Sequence, residues 1–201
     1  MRSEQVRSVR VKIQGDQLPH SEESRAPLTQ PLSPLLELVI DVTPQIYATN
    51  DIIDSCVEFL ESRNLGNKCV QAFRLLLSEA LANAIEHGVL CLPSTLKEDP
   101  FNPYNEILRR RLNEIKPGQV ILKIRLLHEN NNCDIIKSIS VEITDSGPGF
   151  DWRSHMHSAT MPGPDKPFGR GLALIKMVAD QVNFNESGNS IQFIIPCDTD
   201  T

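Results

Sequence analysis

The sequence predicts an α/β (α+β) two-layer sandwich, in which helices cover one face of a mixed, mostly antiparallel sheet. Three observations carry this. Two apolar, β-rich segments, Val120–His128 and Ile135–Thr144, flank a polar Glu129–Asn132 loop and read as an antiparallel hairpin. A second pair, Gln181–Asn185 and Ser190–Ile195, encloses Glu186–Gly188 in the same way. Ahead of both hairpins, two stretches at 44–62 and 68–87 place apolar residues at the helical spacing of about 3.6.

Taken in order, residues 1–34 mix proline, serine and charge without a sustained period and read as a linker or flexible tail. Val9–Ile13 is a candidate short strand within it, and the opening has the character of a piece cut from a longer protein. The domain itself is expected over 35–201. Leu35–Val42 reads as a strand. Thr43 then suits a helix N-cap, with Pro44 at the first helical position, where its missing N–H costs nothing. That helix is expected to run to Ser62, and Gly66 breaks the chain. The next helix, Lys68–His87, carries Val70, Phe73, Leu77, Ala80, Leu81 and Ala84 on its apolar face and stops at Gly88. Residues 89–117 form an insertion, proline-rich at first, then a short helix over Asn105–Ile115 with the basic cluster Arg109–Arg111, closed by a Pro117–Gly118 turn. Residues 150–168 are polar, contain proline and lack a period, as a lid does. Gly171 opens a last helix, Leu172–Ala179.

Bulk properties narrow the function. The chain has 201 residues, 40% of them hydrophobic and 23% charged, as a globular domain does. Its net charge of −6 excludes nucleic acid as the main partner. The cysteines (56, 69, 91, 133 and 197) are odd in number and form no CxxC pair, so neither a disulfide framework nor a zinc site is expected. Cys56 and Cys69 read as small buried hydrophobes. With no signal peptide or membrane-spanning run, the expected location is the cytoplasm.

Three motifs carry chemistry. Within Ser78–Gly88 (SEALANAIEHG), Glu79, Asn83 and His87 form a polar stripe at i, i+4 and i+8 on an otherwise apolar helix. An Asn carbonyl can ligate a magnesium ion that keeps its other oxygens from water and phosphate. A carboxylate one turn away can orient a hydroxyl and accept its proton. In Asp145–Asp151 (DSGPGFD), an apolar strand delivers Asp145 to the sheet edge, where it can accept a hydrogen bond from the amine of adenine. Gly147 and Gly149 allow close backbone approach to the flat base. In Gly169–Lys176 (GRGLALIK), glycines ahead of an apolar helix let backbone N–H groups face an anion at the positive helix end, with Arg170 as an added charge. Each motif alone is weak; the three in this order point to a nucleotide–magnesium pocket.

Together these segments resemble the N, G1 and G2 boxes of the GHKL ATPase superfamily, whose Bergerat fold binds ATP. The NAIEHG form is most similar to the anti-sigma-factor serine/threonine kinases of bacterial partner switching. The resemblance covers residues 35–196 and implies ATP and Mg²⁺ as cofactors. Glu79 would be the catalytic base and Asn83 the magnesium ligand. Asp145, Gly147 and Gly149 would take the adenine. Gly169, Arg170, Gly171 and Leu172 would hold the phosphates, Glu86 and His87 would line the site, and Ser190 would stand where the family often has a threonine. The implied substrate is a STAS-type anti-sigma-factor antagonist, with a sigma factor as a second partner, homodimerisation and no membrane. The insertion is similar to versions tethered to a receiver domain and a phosphatase. One departure is Pro167, where several such kinases carry an arginine beside the γ-phosphate. Two alternatives stay open: an ATP-binding sequestration module without transfer, and a histidine-kinase-like catalytic domain, to which Pro167–Phe168 is mildly similar.

Overall fold

A computed structural model describes residues 9–13, 33–48, 51–93, 96, 103–114, 118–128, 135–154 and 170–197. Its six strands are β1 (Val9–Ile13), β2 (Ser33–Val42), β3 (Val120–His128), β4 (Ile136–Asp145), β5 (Gln181–Phe184) and β6 (Ser190–Pro196). They form one sheet in the order β1-β2-β3-β4-β6-β5. Every pairing among them is antiparallel, so the sheet is purer than the mixed one the sequence predicts. The helices are α1 (Pro44–Ala48), α2 (Asp51–Glu61), α3 (Asn67–Ala82), α4 (Tyr104–Glu114) and α5 (Arg170–Val178), and α3 runs on into a π-helix, Asn83–Val89.

The two-layer prediction holds because the strands alternate. Leu122, Ile124 and Leu126 of β3, Ile139, Val141 and Ile143 of β4, and Ile191, Phe193 and Ile195 of β6 are buried. They pack against Phe73, Leu76, Leu77 and Leu81 of α3 in one core. The opposite face is polar. There Arg125 bridges Glu37 (2.7 Å) and Glu142 (3.1 Å), and Lys123 also donates to Glu142 (2.7 Å), linking β2, β3 and β4. Burial alone would raise the Glu142 carboxyl, but these two cations hold it below the ordinary range.

Several boundaries shift. Val9–Ile13, inside the stretch read as tail, pairs with β2 from Val9↔Ile40 to Ile13↔Leu36. The helix expected over 44–62 is two, α1 and α2. Thr43 does cap the first, its Oγ1 accepting the Ile46 N–H (3.4 Å). The insertion helix is found at Tyr104–Glu114. Of the lid expected over 150–168, residues 155–168 lie outside the described residues, as do Gly169 and Cys133. The cysteine reading needs correction. Cys69 at the start of α3 and Cys197 just after β6 form a disulfide, with Cα atoms 5.1 Å apart across 128 residues of sequence. Only the fold brings them together, so spacing carried no sign of it. No helix among the described residues is long and apolar enough to cross a membrane.

Candidate nucleotide site

Three segments far apart in sequence meet at the C-terminal end of α3. The first is the helix itself. At Asn83 its N–H is shared between the carbonyls of Ala80 and Glu79, and beyond it the α-helix widens into the π-helix. Such widenings are uncommon and concentrate at functional sites. Glu79 and Asn83 are both half-buried, one turn apart.

The second segment is the start of α5. A methyl group built on Gly171 would lie 2.6 Å from Glu79 Oε2 and 3.4 Å from Asn83 Nδ2. The stripe and the N-terminus of α5 therefore face each other directly. Helix α3 packs on α5 through its apolar residues, with Ile175 and Ala173 buried and Leu172 half-buried against the core. Arg170 is the first residue of α5.

The third segment is the turn after β4. Asp145 is half-buried, and its Oδ1 accepts the N–H of Gly147 (2.8 Å). Burial pushes its carboxyl up, against that hydrogen bond. The far end of the π-helix abuts this carboxylate: Gly88 leaves no room for a side chain there. The turn is held by the hairpin at 185–189. Asp145 N–H donates to Asn189 O, Asn189 Nδ2 donates to Asp145 O (both 2.9 Å), and Phe150 N–H donates to Ser187 O (3.1 Å). Gly149 has φ +78°, a conformation that disfavours any residue with a Cβ, and it lies against the Ser187 carbonyl. Phe150 and Trp152 pack edge-on and stacked on Phe184, fixing where the chain leaves the turn.

Other expected residues are placed differently. Glu86 is 6% exposed, and its Oε2 accepts the Tyr104 hydroxyl of α4 (2.5 Å). Tyr47 of α1 faces the same carboxylate. Its hydroxyl is pushed up to about 12 by burial first, then by the charge and hydrogen bond of Glu86 and by the charge of Glu79. The Tyr104 hydroxyl is raised as well, by burial first, then by its hydrogen bond to Glu86, the charge of Glu86 and Tyr47. His87 Nδ1 meets Leu92 O at 2.6 Å, closing the loop after the π-helix. Ser190 pairs with Thr144, their hydroxyls 2.7 Å apart, on the face opposite the buried Ile191 and Phe193, so the fold does not bring it to Glu79. Sequence reasoning missed Tyr47, Tyr104 and Asn189. Their partners lie far away in sequence, and only the Gly188–Asn189 turn gave a local hint.

The geometry fits a nucleotide with a divalent cation. Asn83 offers a neutral hard oxygen, the start of α5 at Gly171 faces the stripe, and Asp145 supplies an acceptor beside a glycine turn. Among the described residues no cluster of three or more His, Cys, Asp or Glu could hold a metal unaided, so such an ion would share its ligands with the nucleotide.

Comparison with known protein families agrees. The model of the histidine kinase-like ATPase domain matches residues 43–195, which takes in all three motifs. No individual curated protein matches the chain. The chain belongs to the family of histidine kinase-like ATPase domains.

Proposed function

We propose that this domain is a protein serine kinase of the partner-switching type, which phosphorylates and binds a STAS-type anti-sigma-factor antagonist. One observation carries the reading: Glu79 Oε2 is held over Gly171, at the mouth of α5, where the terminal phosphate of ATP would face it. The serine hydroxyl gives its proton to Glu79 as its oxygen attacks the γ-phosphorus. The bond to the β-phosphate oxygen breaks and ADP leaves. Asn83 and the N–H groups opening α5 fix the phosphates, and Asp145 takes the adenine amine. A magnesium ion bound with ATP would neutralise charge developing on the phosphate oxygens.

Phosphorylation of the antagonist adds charge at its contact with the kinase and releases it. The freed domain then captures a sigma factor or similar target, acting as a homodimer. The boundaries belong to the same reading: the kinase domain over 35–201, with Val9–Ile13 of the preceding segment added to its sheet as β1. Receiver and phosphatase domains would be tethered in the same polypeptide.

Incubation with γ-labelled ATP and candidate STAS proteins tests this. Label on a serine of one of them, lost in Glu79→Gln while ATP still binds, is the expected result. ATP binding with no label on any antagonist would leave a sequestration module and sink the kinase reading.

A further inference from the structure

We infer that Tyr104, in the insertion helix α4, is a positioning residue for the magnesium-side turn and acts through Glu86. The inference rests on the nucleotide-site reading above. Glu86 lies three residues after Asn83, in the same π-helix, and is 6% exposed. A carboxylate buried that deeply requires donors, because leaving it without them costs more than breaking the surrounding structure. Tyr104 supplies one at 2.5 Å, and Tyr47 faces the same group. The two tyrosines come from α4 and α1, which pack on each other, with Gln45 of α1 also donating to the Leu112 carbonyl of α4 (3.5 Å).

The π-helix is fixed at its other points too. Leu90 N–H donates to Ile85 O and Leu92 N–H to Glu86 O, both at 2.8 Å, and Gly88 abuts Asp145. The Gly88 contact lies on the adenine side, and the two backbone bonds close the C-terminal end of the π-helix. On the side of Asn83, the Tyr104–Glu86 bond ties the π-helix to α4. Withdrawing the Tyr104 hydroxyl takes one donor from a buried charge. Relief comes by turning Glu86 toward water, which rotates the wide turn and moves Asn83 away from Glu79 and Gly171. Adenine contacts through Asp145 do not pass through this anchor. Helix α4 therefore sets the geometry of the cation ligand through Glu86.

Tyr104→Phe removes the hydroxyl and keeps the ring. Binding of a fluorescent ATP analogue is titrated with and without Mg²⁺ in wild type and variant, and amide exchange over residues 84–90 is followed without nucleotide. The wild type is expected to bind more tightly with Mg²⁺. In the variant the Mg²⁺ concentration for half-maximal binding rises about tenfold, the scale of one lost hydrogen bond to a charged group. Magnesium-free affinity stays within about twofold, and exchange over 84–90 speeds up. A loss of packing alone would lower both affinities together. Should Tyr104→Phe fail to fold, Tyr47→Phe removes the other hydroxyl facing Glu86 and reads the same quantity. A wild type that binds Mg²⁺–ATP beside a variant with unchanged Mg²⁺ dependence overturns this inference alone. A wild type that binds no Mg²⁺–ATP removes the nucleotide-site reading and this inference with it.

Discussion

At the scale of single residues, Gly171 is where the start of α5 meets Glu79. A methyl group there would press on Glu79 Oε2 at 2.6 Å, too close for any Cβ to remain without moving the carboxylate. Gly171→Ala is therefore expected to slow phosphoryl transfer by about 100-fold, the scale of losing a well-placed general base. Its thermal midpoint should stay near that of the wild type, because alanine is a better helix residue than glycine at this position in α5. Transfer at the wild-type rate would show that the approach of Glu79 to Gly171 does not matter for transfer. Helical arithmetic alone gave the Glu79–Asn83 stripe, since residues four apart share a face. The fate of Glu86 was not legible in this way. Its partners are 39 and 18 residues away, at Tyr47 and Tyr104, and no local period encodes them.

Among the elements, α3 joins the core to the site. Phe73 and Leu77 are fully buried on its inner face, against strands β3, β4 and β6. Phe73→Ala removes a ring from a close-packed core and is expected to cost about 3–5 kcal/mol. Urea unfolding checks this: the midpoint should fall while the slope stays constant. A change under about 1 kcal/mol would mean that α3 is not packed as described. The sequence pattern located this helix, both hairpins and α4 to within a few residues, because buried faces impose periods of 3.6 and 2. It did not show the change from α- to π-helix at Asn83. The period stays nearly helical across 83–87, while the contacts around the widened turn, at Glu86, Asp145 and Gly118, come from distant segments. It did mark Val9–Ile13 as a candidate strand, but not that it joins the sheet by pairing with β2.

For the whole molecule, the sheet order explains why three distant motifs form one site. Strand β6 returns between β4 and β5, which sets the 185–189 turn beside Asp145, and α5 crosses the face to lie on α3. The two hairpin patterns predicted that β3 pairs with β4 and β5 with β6. Their junction, β4 against β6, is non-local and was fixed by the core they share. The Cys69–Cys197 pairing is a further non-local consequence of that arrangement. The central claim is that the chain binds ATP with Mg²⁺ in this one site. Calorimetric titration of wild type, Asn83→Ala and Asp145→Asn with ATP, with and without Mg²⁺, tests it most directly. The account predicts binding by the wild type that Mg²⁺ strengthens, loss of the Mg²⁺ effect in Asn83→Ala, and weak binding under both conditions in Asp145→Asn. Wild-type affinity and Mg²⁺ dependence retained in both variants would contradict it.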